Sequence, residues 1–181
     1  MKNQIIQKLI NEFRKFGYEG LSLRQISEAT GLGKASLYHY FPSGKKEMAL
    51  EVMKAASEWI KNDLDSLMDS DLLPEKKLEK LVNILSEFYQ NGKNACLLDV
   101  MTIDNCSNNN FFIESKNILL NLTNIFYKMS KEFGHSEENA ARKAQTALSL
   151  LQGALIQSRI LEDNNIFAQQ FLVIQSILQN K

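Results

Sequence analysis

An all-helical fold is the class this sequence predicts, and three observations predict it. No stretch sustains the alternation of apolar and polar residues that a half-buried strand requires, and no hairpin signal accompanies one. The two prolines, Pro42 and Pro74, each stand near an expected helix boundary. Apolar residues recur three and four apart in one segment after another, the spacing of a helix with one buried face.

The elements follow in order. Helix one is expected from about Lys2 to Phe16, because Ile5, Ile6, Leu9, Ile10, Phe13 and Phe16 share a face and Gly17 stops it. Ser22 caps a short second helix to Thr30, with Gln25 three residues on as in a capping box and Leu23, Ile26 and Ala29 on its apolar side. Gly31 supplies the left-handed residue that lets the chain turn sharply. A third helix begins near Gly33 or Lys34 and ends near Tyr40, since Pro42 disfavours helical geometry at Phe41.

A long fourth helix then runs to about Ser70, with Met48, Val52, Ala55, Ala56, Trp59 and Ile60 at helical spacing. No flexible linker interrupts it, so it is the mechanical link between the N-terminal part and the rest. Pro74 opens a further helix, striped by Leu78, Leu81, Val82, Leu85, Phe88 and Tyr89 before Gly92. A shorter one follows near Ala95 to Asp104, then a polar break from Asn105 to Asn110. Helices over Phe111 to Phe133, Glu137 to Leu161 and Asn165 to Gln179 complete a set of nine.

A length of 181 residues with 44% apolar content suffices for a real core. Two cysteines, the lack of a basic-then-apolar leader and of any 18-residue apolar run point to a reducing, cytoplasmic setting away from the membrane. The formal charge is zero, but it is unevenly spread. Residues 1–50 hold eight Lys/Arg against four Glu, a net of +4, and the remainder carries −4. A basic end suits a polyanionic partner.

That basic end also holds helix, tight turn, helix, the arrangement in which a second helix enters the DNA major groove. Leu37 and Phe41, four apart, would face the scaffold and leave Lys34, Ser36, Tyr38 and His39 on the outer arc as hydrogen-bond donors. Gly33 and Ala35 are small enough for close backbone approach, and the Ala35 methyl could touch a thymine methyl.

The wording of this end, Leu21-Ser-Leu-Arg-Gln-Ile, Gly31-Leu-Gly-Lys-Ala-Ser-Leu-Tyr-His-Tyr-Phe-Pro and Lys45-Lys-Glu-Met, resembles the N-terminal signature of TetR/AcrR-type transcriptional regulators over about residues 3–55. The resemblance implies a nine-helix TetR-like fold: a three-helix helix-turn-helix head over residues 1–46, and an effector-binding and dimerisation body over residues 47–181. It implies that Arg24 contacts phosphate or a base, that Lys34, Ala35 and Tyr38 touch bases or nearby backbone, and that Ser36, His39 and Lys45 contact phosphate. Ser43-Gly44-Lys45 departs from the common pattern by one extra residue and, with Ala95-Cys96-Leu97-Leu98, looks like the LmrA/YxaF-type branch.

The same resemblance implies a homodimer through the last two helices, where Ala140, Ala144, Ala147, Gly153 and Ala154 face large aliphatics. Without it, both stripes could simply complete one chain's core. It also favours a pocket for a small hydrophobic effector, with Trp59, Phe88, Tyr89, Met101, Phe112, Phe126 and Gln152 as candidate lining. The expected function is a DNA-binding regulator, a repressor that binds a palindromic operator as a dimer and is released by an apolar or aromatic ligand.

Other classes find less support. His39 lies in the third helix and His135 at a helix junction, without a cysteine and carboxylate cluster for zinc, and no phosphate loop or nucleophile elbow occurs, so neither catalysis nor a cofactor or metal is expected. Cys96 and Cys106 leave open a thiol-based redox sensor, although Cys96 sits among apolar neighbours. An effector-independent DNA-binding protein would also share the same head.

Overall fold

The computed structural model describes residues 1–102 and 109–180, and among them every regular element is helical. The helices are α1 (Lys2–Gly20), α2 (Leu23–Thr30), α3 (Lys34–Tyr40), α4 (Lys45–Trp59), α5 (Asp65–Met68), α6 (Pro74–Phe88), α7 (Leu97–Thr102), α8 (Asn109–Glu132), α9 (Glu137–Ile160) and α10 (Asn164–Gln179). A π-helical turn, Ile60–Leu64, joins α4 to α5. Counting those three pieces as one rod gives nine among the described residues, in the expected order. Cys106, with Asn105 to Asn108 of the polar break, lies outside the described residues.

The π turn was not expected, and the spacing of buried residues accounts for it. Met48, Val52, Ala56, Ile60, Leu64 and Met68 are all buried and each four apart. In a 3.6-residue helix every such step overshoots the turn by about 40°, so five steps would carry the stripe roughly halfway round the rod. Widening one turn takes back part of that drift and keeps the apolar residues inward.

Internal packing divides the chain into two compact units. One comprises Met1–Glu58 with Cys96–Asn117, the other Trp59–Ala95 with Ile118–Lys181. In the first, α1 packs on α2 and α7, and α2 on α3. Gly17 leaves helical geometry at φ 69°, which breaks α1 where the sequence suggests and directs Tyr18 back onto Phe13 and Phe111.

In the second unit, α9 and α10 pair along their length. Ala140, Ala144, Ala147 and Ala154 are buried, and so are Phe167, Phe171, Ile174 and Leu178. The small-against-large seam is thus an intrachain core. Apolar side chains on the outside of the pair are different residues: Ile156, Ile160 and Leu161 on one helix, Leu172 and Val173 on the other.

Side-chain donors close several helix ends in this unit. Lys77, 5% exposed, donates to the Met68 carbonyl and to Glu132, both at 2.7 Å. Lys128 pairs with Asp65 at 2.7 Å. His135 Nε2 donates to the Leu178 carbonyl at 3.0 Å, and Lys143 to those of Ile177 and Asn180, so the last carbonyls of α10 find partners. Burial, and then the nearby Arg142, push the Lys143 ammonium below its ordinary range.

After α6 the chain turns through Gln90, Asn91 and Gly92, all with left-handed φ. At Gly92 (φ 85°) a β carbon would lie 2.7 Å from Phe167 Cβ, so α10 and this turn touch where only glycine fits. Gly92→Ala is expected to lower the unfolding free energy in urea by about 2–4 kcal/mol, from backbone strain plus overpacking. Gly134→Ala, at φ 80° with nothing within 4 Å of the added carbon, should cost only about 1–2 kcal/mol.

Candidate nucleic-acid interface

The candidate surface is built from helices too short to persist by themselves. Ser22 caps α2 with a complete capping box: its hydroxyl accepts from the Gln25 amide, and Gln25 Oε1 accepts from the Ser22 amide at 2.8 Å. Gly31 ends the helix at φ 74°, its N–H donating to the Ser27 carbonyl, and Ser27 Oγ reaches the Leu32 carbonyl to brace the turn. The chain then re-enters helical geometry at Lys34 for seven residues.

Burial along α3 is sharply one-sided. Leu37 is 1% exposed and Phe41 fully covered, while Lys34, Ala35, Ser36, Tyr38 and His39 are all exposed. The five side chains on the outer arc are those expected to meet DNA. Lys34 Nζ lies 6.0 Å from the centre of the Tyr38 ring, within reach of a cation–π contact. Between α2 and the start of α3 lies an open hollow of about 390 Å³, lined by Leu23, Arg24, Ser27, Glu28 and Lys34.

Two of the expected DNA contacts, Arg24 and Lys45, already have internal partners. Arg24 donates to Glu28 at 2.8 Å on the solvent side of α2, and this hydrogen bond, with the carboxylate's charge, raises the guanidinium pKa further. Lys45 donates to the Leu21 carbonyl at 3.1 Å and stands 4.7 Å from the Tyr18 ring centre. An ammonium has three donors, so two of the Lys45 hydrogens remain for an anion. Burial, then the Glu19 charge, push the Tyr18 phenol above its usual range.

The head is also tied by pairs that spacing could not show. Lys2 bonds Glu51 at 3.0 Å and lies 5.4 Å from the Phe41 ring centre, and Lys8 donates to the Thr30 carbonyl. Their signal is weak, since lysine reach is long and no periodicity marks the partner.

The proposed effector residues fall in both units. In the second, Trp59 stacks on Phe88 with ring centres 4.1 Å apart and planes 7° from parallel, Tyr89 meets Phe88 and Phe167 edge-on, and Phe126 is buried. Gln152 Nε2 is buried and has no hydrogen-bond partner. Met101 and Phe112 belong to the first unit, where Met101 is fully buried and Phe112 is 49% exposed. A hollow of about 640 Å³ in the second unit has a different lining, Met68, Asp69, Tyr127, Lys128, Lys131 and Glu132, which is largely charged.

Cys96 is 2% exposed, a small buried hydrophobe as its neighbours suggest. Among the described residues no His, Cys and carboxylate group could hold a metal ion, and no helix is long and apolar enough to cross a membrane.

Comparison with known proteins agrees with this geometry. The sequence model of bacterial regulatory proteins of the tetR family matches residues 5–52. The HTH-type transcriptional regulator LmrA of Bacillus subtilis is 29% identical over 85 residues, 47% of this chain and 45% of that protein, so the match spans less than half of the relative. The uncharacterized HTH-type transcriptional regulator YxaF of the same organism is 22% identical over 181 residues, 96% of this chain and 94% of the other. A TetR transcriptional regulator of Legionella pneumophila, solved by crystallography, superposes with a TM-score of 0.86 at 20% identity, over 97% and 96% of the two chains. At that identity the likeness concerns the fold.

One pair in the head has a definite pH signature. The hydrogen bond from Lys2 holds the Glu51 carboxyl below the usual carboxylate range, outweighing the upward push of partial burial. Because the folded value is lowered, the stabilisation is present above the ordinary carboxylate range and lost as pH falls through the lowered value. Glu51→Gln should therefore cost up to about 1 kcal/mol near pH 7 and almost nothing below about pH 3, measured by urea midpoints at the two pH values.

Proposed function

We propose that this chain, whose residues 5–52 match the model of bacterial regulatory proteins of the tetR family, is a DNA-binding transcriptional regulator of that family, a repressor that binds a palindromic operator as a dimer and leaves it when a small apolar or aromatic ligand binds. The observation that carries this reading is the division of α3, with Leu37 and Phe41 buried and Lys34, Ala35, Ser36, Tyr38 and His39 exposed together. Residues 1–46 serve as the DNA-binding head and residues 47–181 as the effector-binding and dimerisation body. Lys34, Ala35 and Tyr38 read bases, Ser36, His39 and Lys45 hold phosphates, and Arg24 contacts phosphate or a base.

Dimerisation uses the outward faces of α9 and α10. Ile156 and Ile160, one turn apart, with Leu172 and Val173 offer apolar side chains that their own chain leaves exposed. A two-fold pair of heads reads two half-sites one helical turn apart, about 34–36 Å.

For the effector, the second unit supports the reading with an aromatic stack and an unsatisfied amide. A ligand ring can compete for the Trp59–Phe88 stack, and Gln152 Nε2, buried and without a partner, is a donor open to a ligand acceptor. Release then follows from better binding to the conformation with the heads misplaced, since only differential affinity moves the equilibrium.

Selection from a random DNA pool should enrich a palindrome with that spacing. Lys34→Ala or Tyr38→Ala should weaken the selected site by about 1–3 kcal/mol, while Lys45→Ala should weaken all sequences alike and lower the salt slope by about one unit. Enrichment of no sequence would refute operator recognition. Trp59 is the sole tryptophan, so its emission reports on the aromatic cluster. Aromatic ligands that quench it should release the selected DNA, and ligands that quench it yet leave DNA affinity unchanged would disprove effector control.

A further inference from the structure

Gly44 stands in the turn between α3 and α4 with φ 67°, and it is buried although Pro42 and Ser43 before it are exposed. On the side where a β carbon would stand, its neighbour is Tyr38. A β carbon on Gly44 would lie 3.3 Å from Tyr38 Cε1, 3.5 Å from the phenol oxygen and 3.7 Å from Cζ. The ring of a side chain otherwise 39% exposed is thus set against a bare α carbon on one edge, with the Lys34 ammonium 6.0 Å from its centre.

The left-handed backbone alone does not explain this glycine. Gly31 in the same head has φ 74°, yet a β carbon there would meet nothing within 4 Å. Backbone strain is therefore common to both positions, and contact with an exposed α3 side chain is particular to Gly44. The turn is itself held: the Gly44 N–H donates to the Phe41 carbonyl at 2.8 Å, the Gly44 carbonyl accepts from the Met48 N–H, and the Ser43 N–H donates to the Glu47 carboxylate at 2.7 Å. A side chain added at Gly44 cannot be accommodated by a loose loop, so the neighbour that yields is the Tyr38 ring.

We infer that Gly44 is a positioning residue for DNA recognition: its missing side chain is the seat that fixes the orientation of the Tyr38 ring, and with it the Lys34 ammonium, on the reading face of α3. The inference rests on the operator-binding reading above. It goes beyond it by placing a determinant of base preference in the turn after the recognition helix, on a residue that touches no DNA.

The test compares Gly44→Ala and Gly44→Asn with Gly31→Ala in the full-length protein. Asparagine tolerates the left-handed backbone, so Gly44→Asn keeps the experiment open should the alanine variant fold poorly. Without DNA, both Gly44 variants should shift the Tyr38 ring resonances in NMR spectra, and Gly31→Ala should leave them in place. On the sequence selected by the wild type, the Gly44 variants should lose about tenfold in affinity while binding random DNA as before, and should enrich altered bases in a new selection. In a Tyr38→Ala background the same substitutions should cost no further specific affinity.

Equal Tyr38 shifts from Gly31→Ala and Gly44→Ala would overturn the inference, as would an undiminished Gly44 effect after Tyr38 is removed. If the wild type enriches no sequence, the operator reading fails and specificity control at Gly44 fails with it. The Tyr38 resonances still report separately whether the seat exists.

Discussion

A helix of seven residues does not hold itself together in water: nucleation costs more than two turns of hydrogen bonds return, so α3 exists because something else fixes it. That support is the burial of Leu37 and Phe41, one turn apart, under which α2 and then α1 are packed. Everything proposed for the exposed arc of α3 depends on this seating. The capping box at Ser22 and the left-handed exit at Gly31 fix where α2 ends, which in turn fixes where α3 can begin. Lys45, reaching back to the Leu21 carbonyl, then ties the start of α4 to the front of the same motif.

In the second unit apolar packing is supplemented by side-chain donors set against helix C-termini. Lys77 is the most buried of these, and it satisfies both the Met68 carbonyl and Glu132. Removing its charge would leave a partly covered carboxylate without its partner, a larger penalty than the pair's net contribution to stability. His135 and Lys143 give carbonyls at the end of α10 their donors.

The order and approximate limits of the helices were legible because each carries its own signal: Pro74 at a first turn, Ser136 as a cap, Gly17, Gly31 and Gly134 at exits. The inward and outward sides of α3 were legible for the same reason, as two apolar residues four apart define a face. The π turn escaped notice although its cause lies in the sequence. Steps of four, from Met48 to Met68, satisfy a helical pattern locally at every pair, and only their repetition exceeds what 3.6 residues per turn can absorb. Long-range choices were not legible either. Nothing local says that Lys2 finds Glu51 or that Gly44 lies under Tyr38, and the alanines of α9 read equally well as an interface or as the intrachain core they form.

The pairing of Arg24 with Glu28 bears on the thermodynamics of any anion that approaches the head. A free surface arginine meeting a phosphate sheds nothing, and the polyanion expels a condensed counterion, so the gain is entropic and fades with salt. Arg24 arrives with a carboxylate in place. Only its Nε is engaged, so the remaining N–H groups can take a phosphate while Glu28 stays close to the incoming charge. Exposed on both sides, the pair tempers the attraction for a polyanion without barring it.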